Sequence, residues 1–86
     1  MKIEASLADR LRANRDDTRK FPVIISFGDS ESVQILRRLG IEPTAIYRSI
    51  AAAAAVVTAA QIEALASTRE VTTIELDQPA EALQPR

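Results

Sequence analysis

The stretch that most constrains this chain is a run of five alanines, Ala51 to Ala55, followed by V-V-T-A-A-Q. Alanine has the highest helix propensity of any residue, so propensity alone draws one long helix from about Ser49 to Ala66. T-A-A-Q, however, has the spacing of a capping box. In that device the Thr58 hydroxyl accepts from the Gln61 backbone N–H while the Gln61 side chain accepts from the Thr58 N–H. A helix that begins at Ala59 requires something non-helical before it, and β-branched Val56 and Val57 suit a strand. Against a strand, alanine is a poor strand former, and the turn it would need near Ile50–Ala52 holds no Gly, Asn, Asp or Pro. On the residues alone both readings stand. An alanine strand makes physical sense where a helix backbone packs close to the sheet.

The remaining elements are better punctuated. F-P-V-I-I-S-F, Phe21 to Phe27, reads as a central strand with Val23, Ile25 and Phe27 on one face and Ile24 and Ser26 on the other. Pro22 is tolerable near a strand's beginning. Asp29 or Ser30 caps a following helix with Glu31 in its positive first turn. Its core side is Val33, Ile35, Leu36 and Leu39. Gly40 stands where a left-handed residue ends a helix, and Pro43 lies just beyond. Thr44–Ile50 alternates as a strand, and the alanines are its candidate hairpin partner. In the helix from Ala59 to Ser67, Ile62, Leu65 and Ala66 face inward. In Val71–Leu76, Thr72, Ile74 and Leu76 form one face and Val71, Thr73 and Glu75 the other. Asp77 continues the second face, so Glu75 and Asp77 project together.

Residues 1–20 form an N-terminal helical arm and linker, with Ile3, Leu7 and Leu11 on one helical face. That stripe is either a surface helix's narrow apolar seam or the docking face for a partner or second copy. Residues 79–86, with two prolines and no periodicity, form an extended tail. With the strand–helix–strand reading, residues 21–78 make two βαβ halves. The expected fold is α+β, a ferredoxin-like βαββαβ domain: a four-stranded antiparallel sheet with two helices on one face, plus the extra N-terminal helix.

Composition narrows the function classes. The chain has 86 residues with no Cys, His or Trp, which excludes disulfides and thiolate or imidazole metal sites. No acidic cluster has the spacing of a calcium loop, so neither a metal nor a cofactor is expected. Residues 1–20 carry six basic and four acidic groups and the remainder five and eight. This acidic body, with Phe21, Phe27 and Tyr47 as the only aromatics, argues against nucleic acid. Without His or Cys, hydrolysis would need a carboxylate pair or Ser–Lys dyad, and no spacing places one, so the chain does not read as an enzyme. The N-terminus lacks a signal peptide's apolar region, and Ile50–Val57 is too short to span a bilayer. The expectation is a cytoplasmic protein with no membrane partner.

From Thr58 the residues resemble a known family. V-T-A-A-Q-I-E-A-L-A followed by V-T-T-I-E-L-D-Q-P-A-E-A-L resembles the closing half of the inhibitor I9 family, the propeptide-like inhibitors of subtilisin-type serine proteases. The likeness extends more loosely back to Phe21 and favours the hairpin reading of the alanine run. It implies a protein that inhibits a subtilisin-like protease and assists the folding of a separately encoded one. In the family an acidic pair on the last strand caps two helices of the protease, and Glu75 and Asp77 match it. The family's tail lies in the substrate cleft as an added strand. Here that implies Ala80, Glu81, Ala82 and Leu83, with Leu83 in the primary specificity pocket and Ala80 in the other deep pocket. A shifted register would bring Gln84 or Arg86 to the pocket instead. Family propeptides usually run straight into a protease, whereas this chain stops at Arg86, which implies a free-standing inhibitor. The family's usual turn before Val71 is replaced by T-R-E, and residues 1–20 have no counterpart. The alternative is a ferredoxin-like regulatory module that forms a homodimer through its N-terminal helix or its sheet.

Overall fold

A computed structural model describes residues 2–13 and 19–77. The elements follow as α1 (Ala5–Ala13), β1 (Lys20–Phe27), a 3-10 turn (Ser30–Gln34) running into α2 (Ile35–Arg38), β2 (Ala45–Tyr47), β3 (Ala52–Thr58), α3 (Ala59–Ala66) and β4 (Val71–Leu76). The strands form one antiparallel sheet in the order β2-β3-β1-β4. This is the ferredoxin-like α+β arrangement, and the helices lie on one face of the sheet. The core joins Phe21, Val23, Ile25 and Phe27 of β1 to Ala53, Ala55 and Val57 of β3 and Ile74 of β4. Leu7, Val33, Leu36, Ile62 and Leu65 close it from the helical side.

The alanine run is a strand. Both bonds of the capping box are made, Gln61 N–H to Thr58 Oγ1 at 3.2 Å and Thr58 N–H to Gln61 Oε1 at 2.9 Å. These two bonds start α3 at Ala59 and leave the alanines to pair with β1. The small side chains are used as space, because the Ser30–Gln34 turn brings its Cα atoms within 8 Å of those of β3. A turn with no glycine joins β2 to β3. Arg48–Ile50 form a 3-10 turn, and Ala51 adopts the left-handed conformation at φ 51°, ψ 54°. The Ala51 carbonyl accepts from Phe27 N–H at 2.8 Å, which ties the turn to β1. Because this turn takes up Arg48–Ile50, β2 is only three residues long and not the Thr44–Ile50 strand expected.

The first βαβ half departs in detail from a plain helix. Asp29 is the N-cap, its carboxylate accepting from Ser32 N–H at 2.9 Å, but the first five residues wind as a 3-10 helix and only Ile35–Arg38 is α-helical. The end is a Schellman motif. Gly40, at φ 73°, donates to Arg37 O, and Ile41 donates to Leu36 O at 2.8 Å. Leu36 and Ile41 are both buried in the core.

Two expectations are corrected. Ile3 does not lie on the helix. It sits in an extended segment that forms a parallel bridge with Ile74, while α1 starts at Ala5. Leu7 is fully buried in the core, and Ile3 and Leu11 pack against it. The apolar stripe is therefore turned inward, onto β4 and the core. Val71 also lies on the core face, not beside Thr73 and Glu75. The β1–β4 register shifts between Ser26 and Phe27, where Ser26 pairs with Thr73 but Phe27 pairs with Val71. Thr72 is the extra residue of this bulge, and its hydroxyl donates to Ser26 O at 3.1 Å.

Candidate functional site

Strand β4 delivers the two carboxylates to one end of the sheet. Glu75 pairs with Ile24, and since Val23 and Ile25 face the core, Glu75 stands on the opposite, helix-free face. Its side chain is exposed. Asp77 follows the end of β4 and prolongs the ladder: its N–H donates to Pro22 O at 2.8 Å. Pro22 has no N–H to give, so its carbonyl is the group that closes this end of β1. Strand alternation carries Asp77 to the same side as Glu75, where it is half-buried. Among the described residues neither carboxylate makes a salt bridge or side-chain hydrogen bond.

The helix-free face gives these carboxylates an apolar neighbourhood that the sequence reading did not single out. One register row crosses the sheet as Ala45, Ala54, Ile24 and Glu75, and the next as Tyr47, Ala52, Ser26 and Thr73. A third holds Val56 beside Pro22, with Asp77 beyond it. Ala52 and Ala54 are buried, whereas Tyr47 is 43% and Val56 48% exposed. The face therefore has small residues along its middle, two exposed apolar side chains toward β2 and β3, and the carboxylates along β4. The signal was present in the alternation of Ala52, Ala54 and Val56 against Ala53, Ala55 and Val57, but only the strand assignment makes it readable.

The remaining residues assigned by the family resemblance, Ala80, Glu81, Ala82 and Leu83, lie outside the described residues, as do Gln84 and Arg86. Of the residues the resemblance assigns, the described chain brings together Glu75 and Asp77. At the other edge of the sheet an open groove of about 1070 Å³ runs between α2 and β2, lined by Arg37, Arg38 and Arg48 together with Glu31 and Glu42. It mixes both signs of charge and does not include the carboxylate pair. Among the described residues no cluster of acidic side chains is arranged to hold a metal ion, and no helix is long and apolar enough to cross a membrane.

No family model matches the chain, and neither a curated protein nor a solved structure matches it.

Proposed function

We propose that this protein inhibits a subtilisin-like serine protease in the manner of a propeptide. In this reading β4 and the helix-free face dock on the protease, and residues 80–83 occupy the substrate cleft. The observation that carries it is the placement of exposed Glu75, with Asp77 two residues on, at the end of the last strand of a ferredoxin-like sheet. Carboxylates at the end of a strand suit helix N-termini, where each contributes about 0.3–1 kcal/mol at an exposed site. Tyr47 and Val56 supply the apolar contact that two such carboxylates cannot provide alone. Residues beyond Asp77 would add to the protease as an extended strand, with main-chain bonds for affinity and alternate side chains for specificity.

The test is a titration of the purified chain against a subtilisin-type protease with a small chromogenic substrate, following the mass of the chain in parallel. Stoichiometric inhibition with slow trimming from the C-terminal side is expected, and the first cleavage names the residue in the specificity pocket: Leu83, Gln84 or Arg86. Removal of residues 79–86 is expected to abolish inhibition with the fold intact. Full inhibition by that shortened chain would refute cleft occupation by the tail.

A second reading rests on the same exposed Tyr47 and Val56, which suit a homodimer packed through the helix-free face. Sedimentation equilibrium at rising concentration separates the two readings. A monomer at all concentrations excludes the dimer.

A further inference from the structure

The segment before α1 makes a contact that neither the core nor the proposed cleft-binding tail requires. Ile74 donates its N–H to Lys2 O at 2.8 Å and accepts at its carbonyl from Glu4 N–H at 2.9 Å. Both groups of Ile74 therefore point away from β1, toward the outer edge of the sheet. Lys2 adds a third tie, its Nζ donating to Thr68 O at 2.6 Å just beyond α3. In an antiparallel ladder the next residue's groups point the other way, so those of Glu75 face β1 opposite Ile24. The peptide unit between Ile74 and Glu75 is thus held from both edges: its carbonyl by Glu4, its N–H by β1.

An edge strand has a row of unmatched backbone groups and frays more readily than a central one. β4 is such an edge strand, its ladder is interrupted by the bulge at Thr72, and it carries the exposed carboxylate of the proposed docking surface. We infer that residues 2–4 form a strap that positions Glu75 by clamping the Ile74–Glu75 peptide. This rests on the inhibitor reading for its consequence in binding, and on geometry alone for the clamp. Glu4 and Lys2 are positioning residues, distant in sequence from the site and acting on it through the Ile74 main chain.

The strap's two hydrogen bonds to Ile74 are made by main-chain groups of residues 2 and 4, so a backbone substitution tests them. Glu4→Pro removes the N–H that holds the Ile74 carbonyl and sets the ring's Cδ against it. A proline here also keeps Ile3 extended, as it is in the native chain. Glu4→Ala is the control. It loses the carboxylate, which accepts from Leu7 N–H at 3.4 Å, but keeps the strap's donor. A chain lacking residues 1–3 serves as a second variant: it keeps every residue of α1 but loses the Lys2 carbonyl, the Lys2 bond to Thr68 and the Ile3 side chain on the core. The readouts are amide exchange at Ile74 and Glu75 and the inhibition constant, both at a temperature where every variant is fully folded by circular dichroism.

The expected result is exchange at Ile74 and Glu75 faster by tenfold or more in Glu4→Pro and in the shortened chain, with the Glu4→Ala control close to wild type. Inhibition should weaken by on the order of tenfold in the same two variants, since roughly one residue's backbone must then be ordered on binding. A strap that served stability alone would lower the unfolding midpoint and leave the inhibition constant of the folded chain unchanged, which would overturn the inference. Equal exchange at Glu75 in Glu4→Pro and Glu4→Ala would overturn it too. Absence of inhibition by the wild-type chain refutes the inhibitor reading alone, because the exchange comparison still decides whether the strap holds Glu75.

Discussion

Replacing Leu7 by alanine tests whether α1 is part of the fold or an accessory to it. Leu7 has no exposed surface and lies in one core cluster with Val23, Ile25, Ile62, Leu65 and Ile74. Truncating a fully buried leucine loses the transfer free energy of the removed carbons and leaves a cavity, about 3–4 kcal/mol together. A domain of 86 residues has a total stability of roughly 4–13 kcal/mol, so the loss is a large fraction of the whole. In urea, with a slope of about 1–3 kcal/mol/M, the midpoint should fall by at least about 1 M. In a thermal scan the melting temperature should fall by at least ~12 °C. Leu11→Ala is the internal control: half-buried and peripheral, it should lose about 1–2 kcal/mol. An accessory surface helix predicts something else for Leu7→Ala, a change within about 0.5 kcal/mol. A shift that small, with the far-ultraviolet spectrum unchanged, would refute the placement of Leu7 in the core.

Ala51→Gly is expected to stabilise the chain. Alanine at φ 51° carries a left-handed penalty of about 1–2 kcal/mol, against about 0.4–1 kcal/mol for the added freedom of glycine when unfolded, and the unfolding midpoint decides the sign. Thr58→Ala should cost about 1 kcal/mol by removing one bond of the capping box, and Thr58→Ser should recover most of it in the same urea titration. Hydrogen bonds from the Ser6 backbone, the Ser6 hydroxyl and the Leu7 backbone hold the Glu4 carboxyl below its ordinary pKa of 4.5. A carboxyl depressed by folding contributes stability that is present above its unfolded pKa and lost as pH falls through the folded value. Protection of the Ser6 and Leu7 amides, relative to their intrinsic exchange rates, should therefore fall as pH drops below the ordinary 4.5 and in Glu4→Gln should show no such acid limb.

The parts of the fold that were legible in the sequence are those fixed by local devices. T-A-A-Q outweighs five alanines because a capping box satisfies two backbone donors at one definite residue, whereas propensity differences are tenths of a kcal/mol spread along the run. Gly40 ends α2 for a similarly local reason, as only a residue free to take positive φ closes a Schellman motif without strain. What was not legible depends on a second segment. The bulge at Thr72 comes from the match of β4 to β1, and it moves Val71 into the core against the strict alternation of V-T-T-I-E-L. The extended state of Ile3 is set by β4, seventy residues on in the chain's order, and helical spacing from Ile3 to Leu7 looks the same whether or not the first of them is in the helix.

The same distinction bears on the candidate site. The carboxylates are legible because alternation puts Glu75 and Asp77 on one face whatever the bulge does upstream of Thr73. Their setting is not, because Tyr47 and Val56 come from two other strands and reach that face only through the β2–β3 and β3–β1 registers. The two outer strands also meet the edge problem by different means. β2 is three residues long with Arg48 beside it, a short and charged edge that discourages pairing. β4 is twice that length, and its exposed backbone is matched at Ile74 by the chain's own residues 2–4. If protection from aggregation were the only need, a short β4 would have met it without an N-terminal segment. A longer strand bonded at Ile74 on its outer edge and at Glu75 to β1 holds the Glu75 backbone from both sides while its side chain stays exposed, which is the combination the proposed inhibitor role would require of a docking carboxylate.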